Sequence, residues 1–155
     1  MSAIVIYSTK HGAAASCAEI LSDKAQGDII VANVKDDPDF SGFDTVILGA
    51  SVYVGKIQPE MTRFCTKNLE TLLKKKIGLF ISSGDHTERG REYLKLFGDN
   101  IYAHASAREL FGDEIHWETM NLMEKLAMRI IKKARGSSSS LEMENISSFL
   151  ERMEL

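Results

Sequence analysis

Five short runs of apolar residues divide the chain, and helix-type patterns separate several of them. The runs cover residues 3–7, 28–34, 45–50, 77–82 and 100–105. Several are nearly continuous rather than alternating, which is typical of strands that are covered on both faces. Strands of this kind that alternate with amphipathic helices predict a doubly wound α/β fold with a parallel sheet.

Two helices are predicted between the first four runs. Apolar residues recur at helical spacing from Ala14 to Ala25, and Gly27 ends this first helix. The second helix begins at Pro59 and is closed by lysines at 74–76. A proline suits the first helical position, and positive charge suits the last turn, where it complements the helix dipole.

The pattern changes after residue 105. Residues 107–118 have no clear period and are predicted to form an irregular insertion, and a helix over 117–135 is predicted to follow. A serine-rich hinge then covers 137–140. A capping box at 139–142 predicts a last helix, and its core positions are Ile146, Phe149, Leu150 and Met153.

Composition is that of an ordinary globular domain. The 155 residues are 44% apolar and 26% charged, with a net charge of −3 that favours no nucleic-acid partner. A chain of this length is expected to form one domain over residues 1–155. No segment reaches the roughly 18 apolar residues of a membrane span, and the N-terminus has no signal-peptide pattern, so we expect a cytoplasmic location. Cys17 and Cys65 are isolated and are expected to be buried free thiols.

The loop after the first run has the properties of a phosphate site. Residues 8–14 lead from a predicted strand directly into a helix, where N–H groups lack intrahelical partners and the dipole favours an anion. Gly12 permits close backbone approach, and the hydroxyls of Ser8 and Thr9 can donate. The same residues are equally typical of plain helix capping.

Two further loops are expected at the same edge of the sheet, where ligands of open parallel sheets bind. Tyr53, in the loop after the third run, either stacks on a planar ligand or lies on a rim without one. Ser82, Ser83 and Gly84 follow the fourth run and offer donors to a ring edge, or else form an ordinary turn. A ligand with a terminal phosphate and a flat heterocycle fits all three loops.

These motifs resemble those of the flavodoxin family, whose first loop follows Ser/Thr-x-x-Gly-Asn-Thr and wraps the phosphate of FMN. The matching stretches are Tyr7-Ser8-Thr9-Lys10-His11-Gly12, Gly49-Ala50-Ser51-Val52-Tyr53-Val54-Gly55, and the insertion that leads into the helix over 117–135. Within the family the chain is most similar to the flavodoxin-type, quinone-linked protoporphyrinogen dehydrogenases. The resemblance implies a flavodoxin-like α/β fold whose five-stranded parallel sheet has the strand order 2-1-3-4-5.

The resemblance also implies FMN as the cofactor and three loops that hold it. The implied cofactor-binding residues are Ser8, Thr9, Lys10, His11, Gly12, Ala13 and Ala14 in the first loop, Ser51, Val52, Tyr53, Val54 and Gly55 in the second, and Ser82, Ser83, Gly84 and Asp85 in the third. No side chain is expected to act as a catalytic acid or base, and no histidine spacing indicates a metal site.

The first loop departs from the family pattern at two positions. Ala13 and Ala14 stand where the family usually has Asn and Thr, which removes a side-chain phosphate donor. One hydrogen bond to a charged group contributes about 1.5–3 kcal/mol, or about one to two decades in affinity. We therefore expect weaker FMN binding than is usual for the family.

Three functions remain open at this stage. The protein is an FMN-dependent electron carrier between partner proteins, an FMN-dependent oxidoreductase of the protoporphyrinogen dehydrogenase type with a quinone as redox partner, or a cofactor-free interaction module. Its charge is milder than that of the strongly acidic carriers. A basic stretch, consisting of Arg129, Lys132, Lys133 and Arg135, is either a solvated helix end or a contact for an acidic partner or an anionic membrane surface.

Overall fold

A parallel five-stranded sheet forms the centre of the protein in a computed structural model that describes residues 2–83, 87–112, 114–115, 138–139 and 143–155. The strands are β1 (Ala3–Ser8), β2 (Ile29–Asn33), β3 (Thr45–Ser51), β4 (Lys76–Ser82) and β5 (Ala107–Phe111). Their order in the sheet is β2-β1-β3-β4-β5. The predicted fold class and strand order are therefore confirmed.

The register of the sheet brings the strand ends together at one edge. Ser8 pairs with Ala50, Ser51 pairs with Ser82, and Ser82 pairs with Phe111. Because all five strands are parallel, the loops that follow β1, β3 and β4 leave the sheet side by side.

Helices cover both faces of the sheet. They are α1 (Ala13–Lys24), α2 (Pro59–Lys67), α3 (Leu69–Leu72), α4 (Glu88–Glu92), α5 (Asp99–His104) and α6 (Met143–Met153). Apolar residues of α1 and α6 share one core cluster with one face of the sheet, and those of α2, α3 and α5 share another with the opposite face. Successive strand residues alternate between the clusters, as Ile4 and Val5 do, because strand side chains point to alternate faces.

An aromatic layer fills the core between the sheet and α6. The ring of Phe80 stacks on that of Phe111 at 4.8 Å between centroids, and Phe111 meets Phe149 edge to face. A Cβ at Gly49 would overlap the ring of Phe80. The glycine of the second motif is thus required by packing within the core.

The predicted fifth strand was placed too early in the chain. Residues 100–105 lie mostly in α5, and the fifth strand is β5, inside the segment predicted to be an irregular insertion. The charged residues Arg108 and Glu109 obscured the strand pattern. They are tolerated because β5 lies at the edge of the sheet, where Arg108 packs over the ring of Tyr102 at 4.6 Å.

Glu109, on β5, binds two arginines from neighbouring helices, Arg91 of α4 and Arg152 of α6. Its carboxylate oxygens accept hydrogen bonds from Arg91 Nη1 at 3.2 Å and from Arg152 Nη2 at 2.7 Å. Arg91 Nη2 also donates to the carbonyl of Arg108, and Asn145 Nδ2 donates to that of Leu110. Side chains from α4 and α6 thereby satisfy the outer carbonyls of this edge strand.

The other predicted helices agree with the structure in outline. The first matches α1, and all four predicted core residues of the last helix are buried in α6. The single helix predicted from Pro59 is divided at Asn68, whose side chain donates to the carbonyl of Phe64 at 2.9 Å. The backbone N–H of Asn68 donates to the same carbonyl at 3.0 Å, so that Asn68 closes the last turn of α2.

The predicted insertion and serine hinge contain a two-stranded antiparallel ladder. Its strands are β6 (Glu114–Ile115) and β7 (Ser138–Ser139). This regular pairing corrects the prediction of irregular structure at residues 114–115 and of a hinge at residues 138–139. The predicted helix over 117–135 and residues 140–142 of the capping box lie outside the described residues.

Both cysteines are buried free thiols, as predicted. Cys17 lies on α1 and Cys65 on α2, on opposite faces of the sheet. Burial raises the pKa of the Cys65 thiol to about 12, because an apolar environment disfavours the thiolate. This thiol is therefore protonated and unreactive near neutral pH.

Candidate functional site

The first loop makes a tight turn from β1 into α1. Gly12 is the residue before the helix and has a φ of +96°, a left-handed conformation that glycine adopts without strain. Because Gly12 has no side chain, it cannot cap α1 itself. The N–H groups of the first helical turn must therefore find acceptors elsewhere.

Two hydroxyls from different loops provide those acceptors. Thr9 Oγ1 accepts from the N–H of Gly12 at 2.9 Å, and Ser51 Oγ accepts from the N–H of Ala14 at 3.0 Å. The two hydroxyl oxygens lie 3.2 Å apart and share one further hydrogen bond. Residues predicted to form the first and second loops of the site are thereby joined directly.

This arrangement leaves donors at the start of α1. The hydrogen bond between Thr9 and Ser51 uses the hydroxyl proton of one residue. The hydroxyl proton of the other residue takes no part in this bond. In the part of the chain that the structure describes, the backbone N–H groups of Ala13 and Ala15 make no hydrogen bond. Two backbone donors and one hydroxyl proton therefore remain at the N-terminus of α1, and helix N-termini of this kind bind phosphate.

Ser8, predicted to be a cofactor-binding residue of the first loop, bonds to another residue of the protein. Its side chain is buried, and its hydroxyl donates to Gln58 Oε1 at 2.7 Å. Gln58 Nε2 donates in turn to the carbonyl of Ser51 at 3.0 Å. The Ser8 hydroxyl is therefore engaged inside the fold, and the hydroxyls at the start of α1 belong to Thr9 and Ser51.

The second loop is a two-residue turn with a strained residue at its tip. Tyr53 and Lys56 exchange backbone hydrogen bonds of 2.9 and 3.2 Å. Between them, Val54 and Gly55 both have positive φ angles, of 51° and 72°. A β-branched residue rarely adopts this conformation, and the Val54 side chain is 79% exposed.

The ring of Tyr53 forms a corner with two residues of the first loop. Lys10 Nζ lies 4.7 Å from the centroid of the ring, and the His11 ring meets it edge to face at 5.9 Å. Val52, which precedes Tyr53, donates its N–H to the carbonyl of Ser82. An aromatic and basic surface therefore lies beside the hydroxyl pair.

The third loop is described only at its start. Ser82 Oγ donates to the carbonyl of Gly112 at 3.1 Å, and the N–H of Ser83 donates to that of Phe111. Both serines are buried. Gly84 and Asp85, the other predicted residues of this loop, lie outside the described residues, so their place in the site stays a prediction.

A family model for the flavodoxin domain matches residues 4–142. The chain belongs to the flavodoxin family.

Solved structures agree with this assignment at the level of the fold. Flavodoxin 1 from Bacillus cereus is 14% identical, with 99% of this chain and 98% of that chain covered and a TM-score of 0.61. A short-chain flavodoxin associated with a non-canonical PDU bacterial microcompartment is 18% identical, with 99% and 97% covered and a TM-score of 0.62. A flavodoxin, WrbA-like protein from Agrobacterium tumefaciens is 15% identical, with 99% and 91% covered and a TM-score of 0.56. No curated protein matches the chain significantly.

Sequence reasoning missed one polar residue at this edge of the sheet, Gln58. It precedes Pro59 and stands between Ile57 and a helical pattern, so that it reads as an ordinary position before a helix. Its partners, Ser8 and the Ser51 carbonyl, are 50 and 7 positions away. Only the register of the parallel strands brings them together.

The remaining sequence predictions concern metal binding, membrane spans and a basic surface. Among the residues that the structure describes, no group of His, Cys, Asp and Glu is arranged to hold a metal ion, and no helix is long and apolar enough to cross a membrane. The basic stretch formed by Arg129, Lys132, Lys133 and Arg135 falls outside the described residues, and its contact with a partner or membrane remains a prediction.

Proposed function

We propose that this flavodoxin binds FMN at the carboxyl edge of its sheet and transfers electrons through it. The observation that carries the proposal is the Thr9–Ser51 hydroxyl pair at the start of α1, beside the ring of Tyr53. The N-terminus of a helix favours an anion, and an aromatic ring favours a planar ligand. FMN has both groups in one molecule.

The phosphate of FMN fits the donors at the start of α1. The N–H groups of Ala13 and Ala15 and the remaining hydroxyl proton of the Thr9–Ser51 pair would hold it. Ser51 comes from the neighbouring strand, yet its oxygen lies 3.0 Å from the N–H of Ala14. It would therefore offset part of the loss caused by Ala13 and Ala14, which carry no side-chain donor.

The flavin ring fits beside Tyr53. The Lys10 ammonium lies over one face of this ring. A flavin stacked on that face would take the place of the ammonium, which would then be available to the phosphate through electrostatic attraction. Bound FMN supplies one- and two-electron redox chemistry, whereas the protein sets its binding, its orientation and its access to partners.

The carrier function is supported by the family and by its structural neighbours, several of which are named flavodoxins. A redox partner protein or a quinone would exchange electrons with the bound cofactor.

A second candidate is an oxidoreductase of the protoporphyrinogen dehydrogenase type, with a quinone as the electron acceptor. The observation that favours it is the ladder between β6 and β7, which brackets residues 116–137. This ladder begins two residues after Gly112, whose carbonyl binds Ser82 at the third loop. The ladder thus follows closely in sequence on the strand end that bonds to the third loop, and in this second candidate the sequence between its two strands would supply the substrate pocket.

Titration of the apoprotein with FMN tests the proposal. We expect the flavin absorption bands to shift and flavin fluorescence to change on binding, and Thr9→Val to weaken FMN binding by about tenfold through the loss of one hydroxyl. A protein that never takes up FMN would overturn the proposal and favour a cofactor-free interaction module. Oxidation of protoporphyrinogen with a quinone acceptor separates the enzyme from the carrier.

A further inference from the structure

Gln58 is a buried polar residue that does not serve the helix it precedes. It occupies the N-cap position of α2, where its backbone carbonyl accepts from the N–H of Met61 at 3.0 Å, but its side chain makes no capping bond. The residues usual at an N-cap are those whose short side chains cap their own helix. Gln58 as a whole is only 9% exposed, and its side-chain amide bonds to other residues.

Both halves of this amide bind the ends of neighbouring strands. Oε1 accepts from the hydroxyl of Ser8, the last residue of β1, at 2.7 Å. Nε2 donates to the carbonyl of Ser51, the last residue of β3, at 3.0 Å. The amide therefore ties together the two points at which the first and second loops leave the sheet.

The peptide between Ser51 and Val52 is held from both sides. Gln58 Nε2 binds its carbonyl, and the carbonyl of Ser82 binds its N–H at 3.3 Å. This peptide follows the Cα that carries the Ser51 hydroxyl, whose oxygen lies 3.0 Å from the N–H of Ala14. The orientation of the peptide thus limits where the hydroxyl can lie.

We propose that Gln58 is a positioning residue, which acts through Ser51 to set the phosphate end of the FMN site. The inference rests on the proposed function, because it assigns a role toward a ligand. Gln58 holds the Ser51 carbonyl, Ser51 holds the start of α1, and the start of α1 holds the phosphate. The residue needs no contact with FMN.

The chemistry of the amide explains why few side chains can replace it. Ser8 requires an acceptor and the Ser51 carbonyl requires a donor, and a glutamine supplies one of each. Methionine has a similar length but supplies no donor and only a weak acceptor. Glutamate can accept from Ser8, but its second oxygen would be placed against the Ser51 carbonyl.

The affinities for FMN and for riboflavin, which lacks the phosphate, separate positioning from general stability. We expect Gln58→Met to weaken FMN binding by about tenfold and riboflavin binding by about twofold or less, since the change acts at the phosphate end. Gln58→Glu should lower the ratio of FMN affinity to riboflavin affinity at least as much as Gln58→Met does. Gln26→Met is the matched control, because Gln26 is exposed, and it should leave both affinities unchanged.

Equal losses for FMN and riboflavin in both Gln58 variants would assign a merely structural role and overturn the inference, as would unchanged affinities. The double variant of Gln58→Met with Ser51→Ala should lose little more FMN affinity than Ser51→Ala alone, because both act through one hydroxyl. If the losses of FMN affinity in the two single variants were additive in the double variant, Gln58 would not act through the Ser51 hydroxyl.

Amide hydrogen exchange in the ligand-free protein provides a readout that is independent of the cofactor. Gln58→Met should speed exchange of the Ala14 N–H several-fold, and Gln26→Met should not. An unchanged rate at Ala14 in the Gln58 variant would overturn the inference. If the wild-type protein binds neither flavin while Ala14 exchange responds as expected, the proposed function fails, and the hydrogen-bond route from Gln58 stands without a ligand.

Discussion

The two ends of β3 carry two buried hydroxyls with opposite surroundings. Ser51 ends the strand and is 6% exposed, and Thr45 begins it and is fully buried. The Ser51 oxygen lies within hydrogen-bond distance of the Ala14 N–H and of Thr9 Oγ1. Thr45 Oγ1, by contrast, has no hydrogen-bond partner among the residues that the structure describes.

The difference is that buried polar atoms have hydrogen-bond partners at the carboxyl end of β3, whereas the Thr45 hydroxyl at the amino end has none among the described residues. At the carboxyl end of β3, the start of α1 binds the Ser51 hydroxyl and the Gln58 amide binds the Ser51 carbonyl, so that the buried hydroxyl is part of a network. At the amino end, the hydroxyl of Thr45 only costs free energy. An unsatisfied buried polar group destabilises a protein by about 1–3 kcal/mol. The two ends should therefore respond in opposite directions when their hydroxyls are removed.

The largest effect is expected two residues before Ser51. Gly49→Ala would force a Cβ against the ring of Phe80 and disturb the carboxyl end of β3 as a whole. We expect a loss of about 3 kcal/mol in the free energy of unfolding, measured with urea, because overpacking displaces a fully buried ring. Gly42→Ala is the control, since nothing lies within 4 Å of a Cβ there. Equal stabilities of the two variants would contradict the packing role.

Removal of the Ser51 hydroxyl comes next. Ser51→Ala leaves the N–H of Ala14 without its acceptor, and we expect a loss of about 1–2 kcal/mol in stability and about tenfold in FMN affinity. Urea unfolding and FMN titration measure the two effects. Ser147→Ala, on the exposed face of α6, should change neither quantity by a comparable amount. If the Ser51→Ala protein were as stable as the wild type, the claim that the Ser51 hydroxyl stabilises the fold and the Thr45 hydroxyl does not would be contradicted.

The opposite sign is expected at Thr45. Thr45→Val replaces the unsatisfied hydroxyl by a methyl group of similar size, and we expect stability to rise by about 1 kcal/mol. Thr45→Ser keeps the hydroxyl, removes a methyl group, and should lower stability. If thermal unfolding placed Thr45→Val below the wild type, the hydroxyl would have a favourable role at this end too.

The smallest effect concerns the buried thiol of Cys65, a third polar group in the core. Its pKa is raised to about 12, above the ordinary value of 9.0. The unfolded chain therefore releases this proton at lower pH than the folded protein does. The contribution of this thiol to the free energy of unfolding is fully present below pH 9, and it is lost as the pH rises toward 12. We expect a loss of about 1 kcal/mol between pH 8 and pH 10.

Cys65→Ala isolates this contribution. The variant should be less stable than the wild type at pH 8, because burial of the sulfur is lost, but its stability should fall less steeply as the pH rises to 10. Parallel pH profiles for the two proteins would mean that the thiol does not titrate as its burial requires.

The local features of this fold were predictable from the sequence. Continuous apolar runs identified β1 to β4, and helical spacing identified α1 and the buried face of α6. The strand order came from the resemblance of the motifs to a known family. The fifth strand was missed because Arg108 and Glu109 break its apolar pattern, and edge position makes those charges acceptable.

The hydrogen-bond partners in the site were beyond sequence reasoning for a different physical reason. Ser8 and Thr9 are both candidate phosphate donors by residue type, and Ser51 is a candidate only as part of the second flavin loop. Which hydroxyl turns to the start of α1 depends on a competing acceptor, the Gln58 amide, which takes Ser8. The unsatisfied state of Thr45 likewise depends on what packs around it, which no local pattern encodes.

Side chains from neighbouring helices bind the free edge of β5 and so affect whether another strand can pair with it. Arg91 and Asn145 occupy the outward carbonyls of Arg108 and Leu110, so that an incoming strand would find these acceptors already taken. At the opposite edge, β2 exposes Ile30 at 54%. An edge strand with an exposed apolar residue is where chains associate by strand pairing. Among the described edges of the sheet, strand pairing between folded copies is therefore expected at β2 rather than at β5.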